Sequence, residues 1–164
     1  MLFVCYTSAV NDKRYSVMVL PRRQEGSILL QSWTKEDGVV TDGFGSFYQA
    51  GEDSMQAASK VMAEFGIKAQ LVEAARLQYF MDKPTGLVDL KIVVYFADIE
   101  DDPSLQEQMH WFASDDVPYN QMHPATGKWL PLLLAGQVPL KATIKVHQPG
   151  HHTKGKVTDF AVEK

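Results

Sequence analysis

The sequence predicts a mixed α/β domain, and three observations carry that expectation. Short runs of branched and aromatic residues alternate apolar with polar positions at the two-residue period of strands. One segment, Asp53 to Gly66, repeats apolar residues at three- and four-residue steps between a capping residue and a glycine, which is the pattern of an amphipathic helix. The strand-like runs are interrupted by helical ones, so a mixed sheet with helices packed on it is the simplest architecture. At 164 residues the chain is expected to form one domain, residues 1–164, long enough to bury a substantial core.

Taken in order, Leu2 to Tyr6 and Tyr15 to Leu20 read as strands separated by the turn-like Asn11-Asp12, and Ser27 to Ser32 reads as a third. Lys35-Glu36-Asp37-Gly38 turns the chain toward the loop that precedes the helix. In that helix Asp53 or Ser54 caps the first turn, Gly66 ends the last, and Met55, Ala58, Val61, Met62 and Phe65 form one apolar stripe. Lys60, Ala63 and Glu64 are expected together on the opposite face, since residues three and four apart are neighbours on a helix. An i,i+4 pair such as Lys60 and Glu64 is also an ordinary solvated ion pair, worth a few tenths of a kcal/mol.

Gln70 to Met81 and Leu87 to Asp98 are strands joined by the turn cluster Asp82-Lys83-Pro84-Thr85-Gly86, and so predict a hairpin. The acids from Asp98 to Asp102 ahead of Pro103 read as a solvated turn. Met109 to Phe112 is a short strand. Pro124 to Leu134 suggests a second helix with Trp129, Leu132 and Leu133 inward, although Pro131 weakens its interior. Lys141 to His147 and Lys156 to Val162 flank Gln148-Pro149-Gly150 and predict a final hairpin.

With 45% hydrophobic and 22% charged residues the composition is that of an ordinary globular chain. A net charge near −4 argues against a general binder of nucleic acid or of anionic membrane surfaces, while leaving room for a nucleotide pocket. No apolar run reaches transmembrane length, and the opening MLFVCYTSAVNDKRYS has no basic leader, so a cytoplasmic location is expected. The single Cys5 lies in an apolar run and reads as a buried small hydrophobe. His151-His152 stands in a Pro-Gly turn with no acid or Cys at ligand spacing. There is no P-loop, nucleophile elbow or zinc motif.

Gly43 to Ile67, GFGSFYQAGEDSMQAASKVMAEFGI, resembles the signature loop and helix of the Nudix hydrolases. In that pattern a Gly is followed after five residues by Glu, and after seven more by Arg-Glu, an apolar residue, any residue, Glu-Glu, any residue, Gly and an apolar residue. Gly66-Ile67 matches its end. Ala63 and Glu64 then fall at the Glu-Glu pair, Val61 at the apolar position, and Ser59-Lys60 where Arg-Glu belongs. Glu52 stands for the upstream Glu, with Ser46 at the Gly position, and the stretch from Glu52 to Ser59 is one residue short.

His110 to Gly136 is similar to the corresponding segment of the MutT-like branch that acts on oxidised purine nucleoside triphosphates, especially its animal members. The shared residues are Trp111-Phe112, Val117-Pro118-Tyr119, Met122, Pro124 and Trp129 to Leu134, and Gly43-Phe44-Gly45 matches the approach to the signature loop. The resemblance implies a Nudix-type α/β/α sandwich with a mixed β-sheet. It implies Mg²⁺ as cofactor if the protein is active, held by Glu52, Glu64 and Glu107, with Glu52 and Glu64 catalytic. It also implies that Asp42, Phe44, Lys60, His123 and Trp129 face a nucleotide or other diphosphate-containing small molecule. Asp42 stands where the branch has Asn, and His123, Pro124, Ala125 and Thr126 stand across its Trp-Pro-Asp-Asp segment, so base recognition must differ.

Mg²⁺ takes oxygen ligands, and the helix offers one carboxylate beside an ammonium group. At about 4 Å a dication and the Lys60 ammonium repel by about 8 kcal/mol at an effective dielectric of about 20. The expectation is therefore a Nudix-fold protein related to nucleoside triphosphate diphosphohydrolases, with a degenerate metal site and weak or absent hydrolysis. The alternative is a non-catalytic module that binds a nucleotide, through Lys60, or a protein partner. A third reading has replacement ligands, Glu73, Asp82 or Asp89, brought near the helix.

Overall fold

The computed structural model describes residues 12–150 and 155–164. The predicted strand Leu2 to Tyr6, with Cys5, and the pair His151-His152 lie outside the described residues. Along the rest the chain forms β1 (Asp12–Arg22), β2 (Ile28–Lys35), β3 (Gly38–Asp42), β4 (Phe44–Tyr48), α1 (Ser54–Glu64), β5 (Ala69–Lys83), β6 (Gly86–Ile99), β7 (Met109–Phe112), α2 (Thr126–Leu134), β8 (Leu140–His147) and β9 (Lys156–Val162). Among the described residues no helix is long and apolar enough to cross a membrane.

The strands form one mixed sheet in the order β3-β2-β1-β6-β5-β8-β9, with β4 paired to β1 and β7 to β2. Two pairings in it are parallel, β1 with β6 and β5 with β8; the others are antiparallel. Alternation along the central strands gives the sheet two apolar faces. Val17 and Val19 of β1, with Val93, Tyr95 and Ala97 of β6, pack with Ala58, Val61 and Met62 of α1. Leu20 of β1, with Ile92, Val94 and Phe96 of β6, packs with Trp129, Leu130 and Leu133 of α2. The result is an α/β/α sandwich, as the sequence predicts.

Local chemistry explains the helix ends. The Asp53 carboxylate accepts from the Met55 N–H at 2.9 Å, which makes Asp53 the N-cap. At the other end Ile67 N–H bonds Met62 C=O at 3.0 Å and Gly66 N–H bonds Ala63 C=O at 3.1 Å, with Gly66 at φ 64°. That pair of bonds needs a left-handed residue, which glycine supplies without a Cβ penalty. Met55, expected on the buried stripe, is 38% exposed: it lies about 70° round the helix from the centre of the buried face, at 100° per residue.

Several elements depart from the sequence reading. The stretch 38–48, read as a turn leading into a loop, contains β3 and β4, whose glycines hide the strand pattern. Gly43 between them is needed for packing, because a Cβ there would lie 2.9 Å from both Leu20 Cδ2 and Met18 Cγ. In α2 the inward residues are Trp129, Leu130 and Leu133, and Leu132 is only half-buried. Pro131 is accommodated inside this helix at the loss of one backbone bond, the one its N–H would have made to Gly127.

Trp129 is fully buried, and its indole N–H donates to the Tyr79 hydroxyl at 2.6 Å. Trp129→Ala removes that bond and opens a core cavity, so urea denaturation should show a loss of about 3–5 kcal/mol. A change below about 1 kcal/mol would mean that α2 is not anchored through this side chain.

Candidate functional site

Where α1 leaves the sheet, a groove of about 400 Å³ opens between the helix and the β4–α1 loop, and Glu52, Lys60, Glu64, Ser46 and Tyr48 all line it. Three of the residues singled out from the sequence, Glu52, Lys60 and Glu64, are thus brought together. Their convergence follows from helical spacing, which puts Lys60 and Glu64 one turn apart on the face toward the loop. Ala63, expected beside them, lies 100° from Glu64 and lines the opposite flank of the helix with Met55 and Ser59. Ser59 in turn donates to the Met55 carbonyl of its own helix at 2.9 Å.

The loop fixes Glu52. Its carboxylate accepts from the Gln49 N–H at 2.8 Å, while its own N–H donates to the Gln49 carbonyl at 3.1 Å. Among the described residues Lys60 forms no ion pair, so the bridge to Glu64 that the spacing allows is not made. The groove therefore holds one carboxylate engaged with its own loop, one free of that restraint, and an ammonium group.

This donor set does not fit Mg²⁺, which takes a near-octahedral shell of oxygens. Among the described residues no group of three or more His, Cys, Asp or Glu side chains is placed to hold a metal. Glu107 is exposed in the loop before β7 and is not on the groove lining. The replacement acids are engaged elsewhere: Glu73 with Arg76 at 2.5 Å, Asp82 with His147 at 3.0 Å, and Asp89 with the Gln78 amide at 3.0 Å. Two acids of the acidic turn are likewise paired, Asp98 with Arg22 and Asp102 with Arg23 at 2.9 Å.

On the α2 side of the sheet Asp42 and His123 gather around a residue the sequence reading missed, Tyr79 of β5. The Tyr79 and His123 rings lie 5.9 Å apart. Burial drives the Tyr79 hydroxyl well above the usual phenol range, with the Trp129 N–H opposing this and the Asp42 charge adding to it. Asp42 ends β3 and accepts from the Gly43 N–H at 2.8 Å; burial raises its pKa, and that hydrogen bond only partly offsets the rise. His123 accepts from the Ala125 N–H at 3.1 Å through Nδ1, which leaves the proton of the neutral ring on Nε2. Crowding by protein and the Lys83 charge both lower its pKa, while its exposed ring lets solvent screen the effect. Phe44 and Trp129 do not join this surface. Both are fully buried, Phe44 edge-on to Phe65 at 4.8 Å and Trp129 under Tyr79, and neither presents area to a ligand.

Comparison with solved structures identifies the architecture. The MutT protein of Bacillus halodurans superposes with a TM-score of 0.71 at 14% identity, over 92% of this chain and 97% of that one. The chain has the Nudix fold. A Nudix hydrolase from Nitrosomonas europaea gives a TM-score of 0.62 at 14% identity over 84% and 81% of the two chains. A protein of Jonesia denitrificans, described as a candidate asymmetric diadenosine tetraphosphate hydrolase, gives 0.59 at 17% identity over 77% and 97%. No protein-family model matches the sequence, and no curated protein matches it.

α1 and the loop before it place Glu52 and Glu64 on the lining of one groove. Tyr79 carried no motif; the only signal was its place among the α2-facing positions of β5, two residues from Leu77 and Met81.

The raised pKa of Asp42 sets a direction for stability. A carboxyl whose folded pKa lies above its unfolded value contributes stability that is complete below the unfolded pKa and is lost as pH rises through the folded one. Asp42→Asn removes that titration. Chemical denaturation should find the variant more stable than wild type at neutral pH, with the gap narrowing as pH falls through the raised pKa and closed once pH is below the ordinary carboxylate range. A gap independent of pH would mean that Asp42 is not desolvated.

Proposed function

We propose that this protein binds a nucleotide or other diphosphate-bearing small molecule in the groove beside α1, without metal, and hydrolyses it weakly or not at all. The observation that carries this reading is the position of Lys60. It lines the groove between Glu52 and Glu64, in the place where the resembling enzymes have a carboxylate. An ammonium there neutralises phosphate charge directly and opposes a dication. The solved structures that share the fold support a phosphate-bearing ligand, since one is described as a candidate diadenosine tetraphosphate hydrolase.

Base recognition in this reading falls to Asp42 and His123. The half-buried Asp42 carboxyl keeps an oxygen that can accept from a base N–H, and the His123 ring is a flat polar surface on which a base can stack. Little hydrolysis is expected because the attack of water on a phosphate in this fold needs the metal to position it and to stabilise charge, and the groove lacks the donors. The single-domain organisation over residues 1–164 and a cytoplasmic location belong to the same proposal.

Two measurements test it. With ADP in EDTA, a thermal-shift titration should give stabilisation of about 2.7 kcal/mol at one hundred times the dissociation constant, and Lys60→Ala should weaken binding by about 1 kcal/mol, roughly fivefold. Turnover of ATP and of oxidised purine nucleoside triphosphates with Mg²⁺ should stay near background. Robust turnover abolished by Glu64→Gln would overturn the proposal, as would an affinity for ADP, read from the amide shifts of the groove residues, that Lys60→Ala leaves unchanged.

A further inference from the structure

Among the described residues no helix covers the face of the sheet beyond α1, and its register gathers cations there. α1 is 11 residues long, about 16 Å at 1.5 Å per residue and about 10 Å wide. The seven strands of the main path extend roughly 29 Å across at about 4.8 Å per strand. α1 sits over β1, β4, the Val93–Ala97 part of β6 and the start of β5, and most of the positions beyond it are polar, with Phe80 half-buried among them. Paired residues project to the same side of a sheet. One row runs Tyr48, Tyr15, Lys91, Gln78 across β4, β1, β6 and β5. The next row carries Val93, Arg76 and Lys141 across β6, β5 and β8.

These rows enclose a concavity of about 380 Å³ lined by Tyr15, Tyr48, Arg76, Lys91, Lys141 and Glu163 among others. In a chain of net charge −4, three cations face one acid there. Among the described residues Lys91 and Lys141 form no ion pair, whereas Arg76 is held by Glu73 at 2.5 and 3.1 Å. The cations share one field: the Glu73 carboxyl is held low first by the Arg76 hydrogen bond and its charge, and also by Lys141. Burial raises the Tyr48 hydroxyl, and the Arg76 charge opposes the rise. The Tyr15 and Tyr48 rings, 5.9 Å apart and tilted by 50°, form an aromatic wall at the same concavity.

We propose that this uncovered face is a second, metal-independent binding site for an aromatic phosphate ester, with the phosphates on Arg76, Lys91 and Lys141 and the ring against Tyr15 and Tyr48. Its size is within the range of small-molecule pockets. A small ligand fits better than a nucleic acid because the cations are confined to one concavity of an acidic protein instead of forming an extended stripe. Tyr48 lines both this concavity and the α1 groove, so the two sites flank one side chain. This site goes beyond the groove function and does not depend on it.

The test is amide chemical-shift mapping of the isotope-labelled full chain titrated with ADP in EDTA. Shifts at Tyr15, Lys91 and Lys141 are expected, with the affinity read there falling at least about tenfold in Lys91→Glu/Lys141→Glu, two exposed charge reversals, and unchanged in Lys60→Ala. The milder Lys91→Gln/Lys141→Gln should weaken it in the same direction. Shifts confined to Lys60, Glu64 and the β4–α1 loop would overturn the second site and leave the groove function intact. No shifts on the sheet face would overturn it as well, as would equal affinity in wild type and in a folded charge-reversed protein.

Discussion

The parallel pairing of β1 with β6, in unbroken register from Asp12↔Val88 to Arg22↔Asp98, is the constraint on which the rest of the structure depends. A strand pair buried on both faces needs an apolar cover on each side. Val17, Val19, Val93 and Tyr95 require α1, and Leu20, Ile92, Val94 and Phe96 require α2. Slipping this register by one residue would exchange the two sets of side chains between the faces. It would also separate Tyr15 and Tyr48 from Lys91, while the rows that β6, β5 and β8 form among themselves would stay in place. The meeting of the two tyrosines with Lys91 therefore rests on this pairing.

α1 converts that register into a groove. Ala58, Val61 and Met62 fix the rotation of the helix against β1 and β6, and that rotation turns Lys60 and Glu64 toward the β4–α1 loop and Ala63 away from it. The loop is short, and Glu52 closes it by accepting from Gln49. A carboxylate used to hold its own loop is a poorer metal ligand, because coordination must compete with that bond. Under the proposed function, the hydrogen bond of Glu52 gives it the role of shaping the loop.

Much of the fold was legible because much of it is local. The caps of α1 at Asp53 and Gly66 and the turn at Pro84-Thr85 are short-range effects that appear in the sequence as particular residues. β3 and β4 were not legible, since Gly38, Gly43 and Gly45 mask a strand pattern that long-range pairing with β2 and β1 restores. Lys60 and Glu64 could be placed together by counting along the helix, and Glu52 was singled out only by the resemblance of its loop. Phe44 and Trp129 misled, because an aromatic beside a ligand and an aromatic in a core look alike in sequence; the structure puts both inside. Tyr79 and the row of cations on the uncovered face could not be found at all without the register, because their partners lie on strands distant in sequence.

The central claim is that the α1 groove handles phosphate charge with a protein cation and does not assemble a shell for Mg²⁺. Calorimetric titration of the metal-free protein with Mg²⁺ tests it most directly. The account predicts no saturable, stoichiometric binding below millimolar concentrations in wild type, and a gain of affinity when Lys60→Glu and Ala63→Glu return oxygen donors to the helix. Tight one-to-one binding of Mg²⁺ to wild type, abolished by Glu64→Gln, would contradict it.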